Sequence, residues 1–201
     1  MSTEERREQL LSAGVELLRH RPHEEVSIEE IAAAAGVSKG LLYHYFPTKK
    51  DFILAALERG REQLAERLRP DPGLEPAEQL DASLDAFLDY VEEHATAYTA
   101  IFRRGGGDAE VAETINAGRA DQLQTLLEAL GSWKESPVST ERSPALEAAV
   151  QGWLFFVEGA VLHWLENGGL EREQLRDLLR SGLVGALFAA AAGGAEVQRS
   201  T

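Results

Sequence analysis

The segment from Ser27 to Pro47 carries four helix boundaries in close succession. Ser27, with Glu30 three residues on, forms a capping box, in which each side chain satisfies the other residue's backbone N–H. Ile28, Ile31, Ala32 and Ala35 then share one apolar face. Gly36 stops that helix, because glycine takes the left-handed conformation at least cost. Ser38 caps the next helix. Pro47 ends it near Phe46, since the residue before a proline avoids the helical region. Two short helices separated by only Gly36 and Val37 read as a helix-turn-helix. A preceding helix, from about Glu4 to Arg19 and ended by Pro22, places Leu10, Leu11, Val15 and Leu18 at helical spacing. It supplies the third side of a core made of Ile28, Ile31, Val37, Leu42 and Phe46.

The remaining chain is also written in helix formers, with Ala, Leu, Glu, Arg and Gln abundant and β-branched residues sparse. The expectation is therefore an all-α fold of about nine helices: a three-helix N-terminal domain and a larger helical C-terminal domain. A fourth helix starts at Thr48 and runs to about Arg69. "PDPGLEP", residues 70–76, is a turn cluster. Helices follow at about Ala77–Glu93, Ala95–Arg104, Asp108–Leu130, Pro144–Asn167 and Arg172–Ala192. Glycines 105–107, the stretch 131–144 and "NGG" separate them, and the tail "GGAEVQRST" is expected to fray. The domain boundary is placed so that residues 1–48 form the first domain and 49–201 the second.

Composition narrows the function. The chain has 201 residues, no cysteine and 44% apolar residues. Disulfides, thiolate chemistry and cysteine-type zinc sites are excluded, and a reducing cytoplasm fits. "MSTEERREQL" is unlike a signal peptide, and no unbroken run of about 18 apolar residues occurs, so no membrane span is expected. The net charge is −14, but residues 1–50 hold 7 Lys/Arg against 8 Asp/Glu, while residues 51–201 hold 13 against 26. The N-terminal quarter can approach a polyanion, whereas the remainder repels one.

"GVSKGLLYHYFPTKKDF", with its approach "IEEIAAAAGVSKG" and exit "YHYFPTKKDFIL", strongly resembles the recognition-helix region of the TetR family of transcriptional repressors. The motif-level likeness covers about residues 8–55. The second helix of a helix-turn-helix presents its N-terminal residues to base edges in the major groove. Lys39 sits there, within reach of guanine acceptors or a phosphate, and Gly40 lets the backbone come close. Leu41 can meet a thymine methyl or pack inward. Tyr43 and His44 share the face of Gly40. The resemblance implies a phosphate contact for Tyr43, a base or backbone contact for His44, a backbone contact for Tyr45, and a phosphate clamp for Lys49. Ser27 and Ser38 lie at helix N-termini, which favour phosphate.

The resemblance further implies a homodimer on palindromic, double-stranded operator DNA, released when a small molecule binds the C-terminal domain. Dimerisation in the family uses a four-helix bundle of the last two long helices. In "EAAVQGWLFFVEGAVLHWLE", Gly152, Phe156, Gly159 and His163 make one stripe, and Trp153, Val157, Ala160 and Trp164 another. Leu178, Gly182, Gly185, Ala186 and Ala189 offer a matching small-residue face. For the effector pocket the candidates are His94, Tyr98 and Phe102, on one helix face, with Trp153, Val157 and Trp164 facing them. The scarcity of basic residues there favours an apolar or cationic ligand over an anionic one.

The rival readings are a helical binding or scaffold protein without a DNA role and, last, an enzyme. His20 and His23 form an H-x-x-H pair with no clear third ligand, and no P-loop, HExxH or GxGxxG occurs. Neither metal nor cofactor is expected, and the carboxylates read as solvated helix faces.

Overall fold

In a computed structural model, the protein is described over residues 2–199 other than 22–24, 72, 105–107, 134, 135 and 137. His23, Pro22 and the glycines at 105–107 lie outside these residues. The described chain is all helical: α1 (Thr3–Leu18), α2 (Ile28–Ala34), α3 (Lys39–Tyr45), α4 (Lys49–Arg67), α5 (Pro76–Glu93), α6 (Ala95–Arg104), α7 (Ala109–Ser132), α8 (Pro144–Asn167) and α9 (Arg172–Arg199). The starts follow local capping chemistry. Ser27 and Thr48 each form a capping box, with Glu30 and Asp51 respectively, and Ser38 and Ser143 each accept a hydrogen bond from a backbone N–H of the following turn. α9 runs past the expected end at Ala192 to Arg199. Glycine lowers helix propensity by only about 1 kcal/mol per residue, and Gly193 and Gly194 follow a run of alanines that favours continuation.

The chain falls into two compact units, residues 1–68 with 89–115, and residues 69–88 with 116–201. In the first, Leu10, Leu11, Leu18, Val26, Ile28, Ile31, Leu42, Phe46, Phe52 and Ile53 form one buried core, with Val37 packed at its margin. Phe46 and Phe52 meet edge to face, 5.1 Å between ring centroids. A Cβ at Gly14 would lie 2.1 Å from the Phe52 ring, so α1 and α4 touch at a glycine. The end of α5 joins this unit through the Tyr90 hydroxyl, which donates to the Gly60 carbonyl at 3.1 Å, and through an Arg67–Glu93 ion pair at 2.6 Å.

In the second unit α8 and α9 form a hairpin through Gly168 and Gly169, whose φ values are +64° and +88°. Val150, Trp153, Val157 and Val161 of α8 and Leu175, Leu179, Leu183 and Leu187 of α9 are buried. The Trp153 indole donates to the Leu179 carbonyl at 2.8 Å. Asp81 and Asp85 of α5 bind Arg172, Arg176 and Arg180 of α9, and Glu158 of α8 binds Arg119 of α7 at 2.6 Å. By length and composition alone α8 passes as a membrane span, although polar residues interrupt it. Its apolar residues divide between the face packed on α9 and an exposed stripe.

Replacing Gly14 with alanine is expected to destabilise the protein by about 1–3 kcal/mol, because over-packing the Phe52 ring outweighs the gain in helix propensity. Urea unfolding measures this, and Phe52→Leu in the Gly14→Ala background should recover part of the loss.

Candidate nucleic-acid interface

The turn between α2 and α3 is set by backbone chemistry. Gly36 adopts φ +66°, its N–H donates to Ala33 O at 3.0 Å, and the Val37 N–H donates to Ala32 O at 2.9 Å. This is a Schellman ending, which satisfies carbonyls that the helix leaves open and turns the chain within two residues. Ser38 then accepts the Leu41 N–H at 3.2 Å, and α3 begins. Leu42 and Phe46 point into the core, 0% and 1% exposed. With that face held, Lys39, Gly40, Tyr43 and His44 are exposed, while Leu41 and Tyr45 are half-buried. Tyr45 packs on the core margin and stands edge to face with His44 at 5.2 Å. Ser38 is exposed and Lys49 half-buried at the first position of α4. Ser27 is half-buried, and its hydroxyl both accepts the Glu30 N–H and donates to the Glu30 carboxylate.

The electrostatics around α3 hold relationships that no spacing rule reveals. Lys39 pairs with Glu29 in the first turn of α2, and its ammonium lies 5.6 Å above the Tyr43 ring. The hydrogen bond from Lys39 holds the Glu29 carboxyl below its usual range, and the same bond raises Lys39. Arg21 pairs with Glu30 at 2.5 Å. That bond, reinforced by the Ser27 backbone, lowers Glu30 to about 2. Lys50 lies 3.1 Å from both Asp108, which caps α7, and Glu110. Glu29, Arg21 and Lys50 were missed in the sequence because their partners sit on other helices.

The candidate effector residues divide between the units. In the first, His94 is 6% exposed and stacks on Tyr90 at 4.3 Å. Its Nδ1 is 2.8 Å from the Tyr90 carbonyl, which only accepts, so Nδ1 carries the proton. Burial lowers the His94 pKa and favours the neutral ring, leaving Nε2 as an acceptor; it has no hydrogen-bond partner among the described residues. Tyr98 is buried against Phe102, ring centroids 4.4 Å apart. In the second unit, Trp153 and Val157 are buried in α8, and the half-buried Trp164 donates to the Leu170 carbonyl at 2.9 Å.

The interface candidates are also distributed unevenly. Gly152, Phe156, Gly159 and His163 are all exposed, as are Leu178, Gly185 and Ala189, while Ala186 and Gly182 are half-buried. Gly182 accommodates Phe156 of the same chain: a Cβ there would lie 2.8 Å from the Phe156 ring. Phe155 and Phe188, unremarked in the sequence, are each 51% exposed and enlarge the apolar surface.

Comparison with known proteins places these features in company. Residues 10–56 match the family model for bacterial regulatory proteins of the tetR family, and residues 76–186 match that for the tetracyclin repressor-like C-terminal domain. The crystal structure of a tetR-family transcriptional regulator from Streptomyces coelicolor is 31% identical, with a TM-score of 0.84, over 99% of this chain and 89% of that one. The HTH-type transcriptional activator FasR of Mycolicibacterium smegmatis is 36% identical over 101 residues, 49% of this chain and 46% of its own length. The chain thus spans about half of that curated relative. AibR, solved in complex with isovaleryl coenzyme A and operator DNA, shares the fold with a TM-score of 0.61 at 22% identity, over 87% of this chain and 96% of that one.

The depressed Glu30 pKa has a consequence for acid stability. A carboxylate lowered in the folded state stabilises it above the ordinary carboxylate range, and that contribution is lost as pH falls through the folded value. Glu30→Gln is therefore expected to lower the melting temperature near neutral pH and to flatten its decline between pH 4.5 and about 2. Thermal melts followed by circular dichroism across that range check it.

Proposed function

Because the chain belongs to the tetR family of bacterial regulatory proteins, we propose that it is a dimeric, DNA-binding transcriptional repressor, released from a palindromic operator by a small molecule. The observation that carries this reading is the outward face of α3. Leu42 and Phe46 are locked inward, and Lys39, Gly40, Tyr43 and His44 are left exposed behind a two-residue turn. That arrangement offers a cation, a close-approach backbone position and two polar aromatic rings to a groove. Ser38 and Lys49 flank it as phosphate contacts, with Leu41, Tyr45 and Ser27 as lesser ones. Residues 1–48 serve as the DNA-reading domain and 49–201 as the effector and dimerisation domain. Its chemistry is binding rather than catalysis, and its place is the cytoplasm, where the DNA is.

The dimer forms through the exposed apolar stripes of α8 and α9. Gly152, Gly159 and Gly185 support this, since a Cβ added at any of them would meet nothing within 4 Å among the described residues. Large exposed apolar surface of this kind marks an interaction site. In the first unit, Tyr98 and Phe102 supply apolar contact for the effector and His94 Nε2 a hydrogen-bond acceptor. The matching ligand is an apolar or cationic molecule bearing a hydroxyl or N–H group, since a carboxylate would offer Nε2 only another acceptor.

In vitro selection of bound DNA from a random pool should return a palindrome with half-sites about one helical turn apart. Tyr43→Ala and Lys49→Ala should each weaken binding to that sequence about tenfold, with Lys49→Ala also reducing the salt dependence by about one counterion per site. Unchanged affinity in both overturns the repressor reading. Gly159→Arg should convert the dimer to a folded monomer, read as a halved mass in sedimentation with unchanged helical circular dichroism.

A further inference from the structure

Lys39 opens α3 and is the cation best placed to meet DNA, yet its ammonium is already held. Glu29 binds it from α2, and the Tyr43 ring lies beneath it at 5.6 Å. The Glu29 and Lys39 side chains are both more than half exposed, and neither belongs to the buried core. Glu29 also differs from its neighbour. Glu30 is committed to the Ser27 capping box and to Arg21, whereas the side-chain partner of Glu29 is Lys39. Two other cations of the same unit are matched in the same manner: Arg21 by Glu30, and Lys50 by Asp108 and Glu110. This unit thus meets a polyanion with several of its positive charges countered in advance.

That arrangement changes the balance between cognate and random DNA. Sequence-independent binding draws on lysine–phosphate contacts and the release of counterions. A lysine paired with a carboxylate must give up that partner before it contributes, and a random sequence returns only a phosphate in exchange. A correctly placed guanine offers O6 and N7 acceptors, which a random site lacks. An exposed ion pair is weak, so the lysine is taxed rather than blocked. We propose that Glu29 is an internal competitor for Lys39, and that it sets the discrimination of α3 between operator and bulk DNA by withholding the lysine from non-specific phosphate contacts. The proposal rests on the DNA-binding reading above.

The test needs no operator. Affinity for a random-sequence duplex is measured by fluorescence anisotropy over a series of potassium chloride concentrations, for the wild type, Glu29→Gln, Lys39→Gln and the double variant. Melting curves confirm that each is folded, and Glu29→Ala serves as a second variant. Glu29→Gln is expected to tighten binding about fivefold at low salt and to steepen the slope of log K against log salt by ~0.9 for each lysine freed. In the Lys39→Gln background the same substitution should change neither. Equal tightening in both backgrounds would mean that Glu29 repels phosphate directly, and the competitor role would be overturned. No tightening in either background overturns it as well. If no variant binds the duplex at the lowest salt, it is the DNA-binding reading that falls, and the proposal with it.

Discussion

The Phe52 ring occupies the space that any side chain at Gly14 would need, and the arrangement of the N-terminal unit depends on this contact. It brings α4 against α1 and gives Phe46 an aromatic edge to pack on. Phe46 closes the inner face of α3, and the Arg7 guanidinium lies 5.2 Å from its ring. A helix of only seven residues has little stability of its own. Its orientation is imposed by what lies beneath it. The outward direction of Lys39, Tyr43 and His44 is therefore a consequence of aromatic packing on the opposite, buried side of α3.

The two units use their charges differently. In the second, Asp81 and Asp85 meet Arg172, Arg176 and Arg180 in a ladder between α5 and α9. In the first, carboxylates are drawn onto the cations near α3. An acidic chain that must bind a polyanion faces a conflict between solubility and affinity, and local pairing is one resolution of it. Most of the acidic charge lies after residue 50, and α3 carries one lysine, Lys39, paired with Glu29.

Much of this was readable in advance, for identifiable reasons. Capping at Ser27, Ser38 and Thr48 depends on neighbours within one helical turn, so the starts of α2, α3 and α4 lay open to inspection. Gly36 was legible because a left-handed turn has few other occupants, and the fate of Leu42 and Phe46 followed from helical period. The end of α9 was misplaced because a glycine pair signals a helix end without compelling one. Trp153 belongs to two readings on sequence grounds, pocket wall or helix packing; its indole N–H on the Leu179 carbonyl accounts for it by packing.

The linear order of residues thus sufficed for where the helices begin, which side of each is apolar, and which short helix resembles a DNA reader, since all three depend on interactions within a turn or two of chain. The partners of the charged and polar groups emerged only once the helices were assembled. Glu29 with Lys39, Lys50 with Asp108 and Glu110, and the His94 Nε2 left without a partner among the described residues arise between residues on different helices or from burial. Charge pairing has no period along a chain. In "SIEE" the capping box marks Glu30 from the spacing alone, whereas Glu29 acquires its partner only when folding carries it beside the lysine of the next helix.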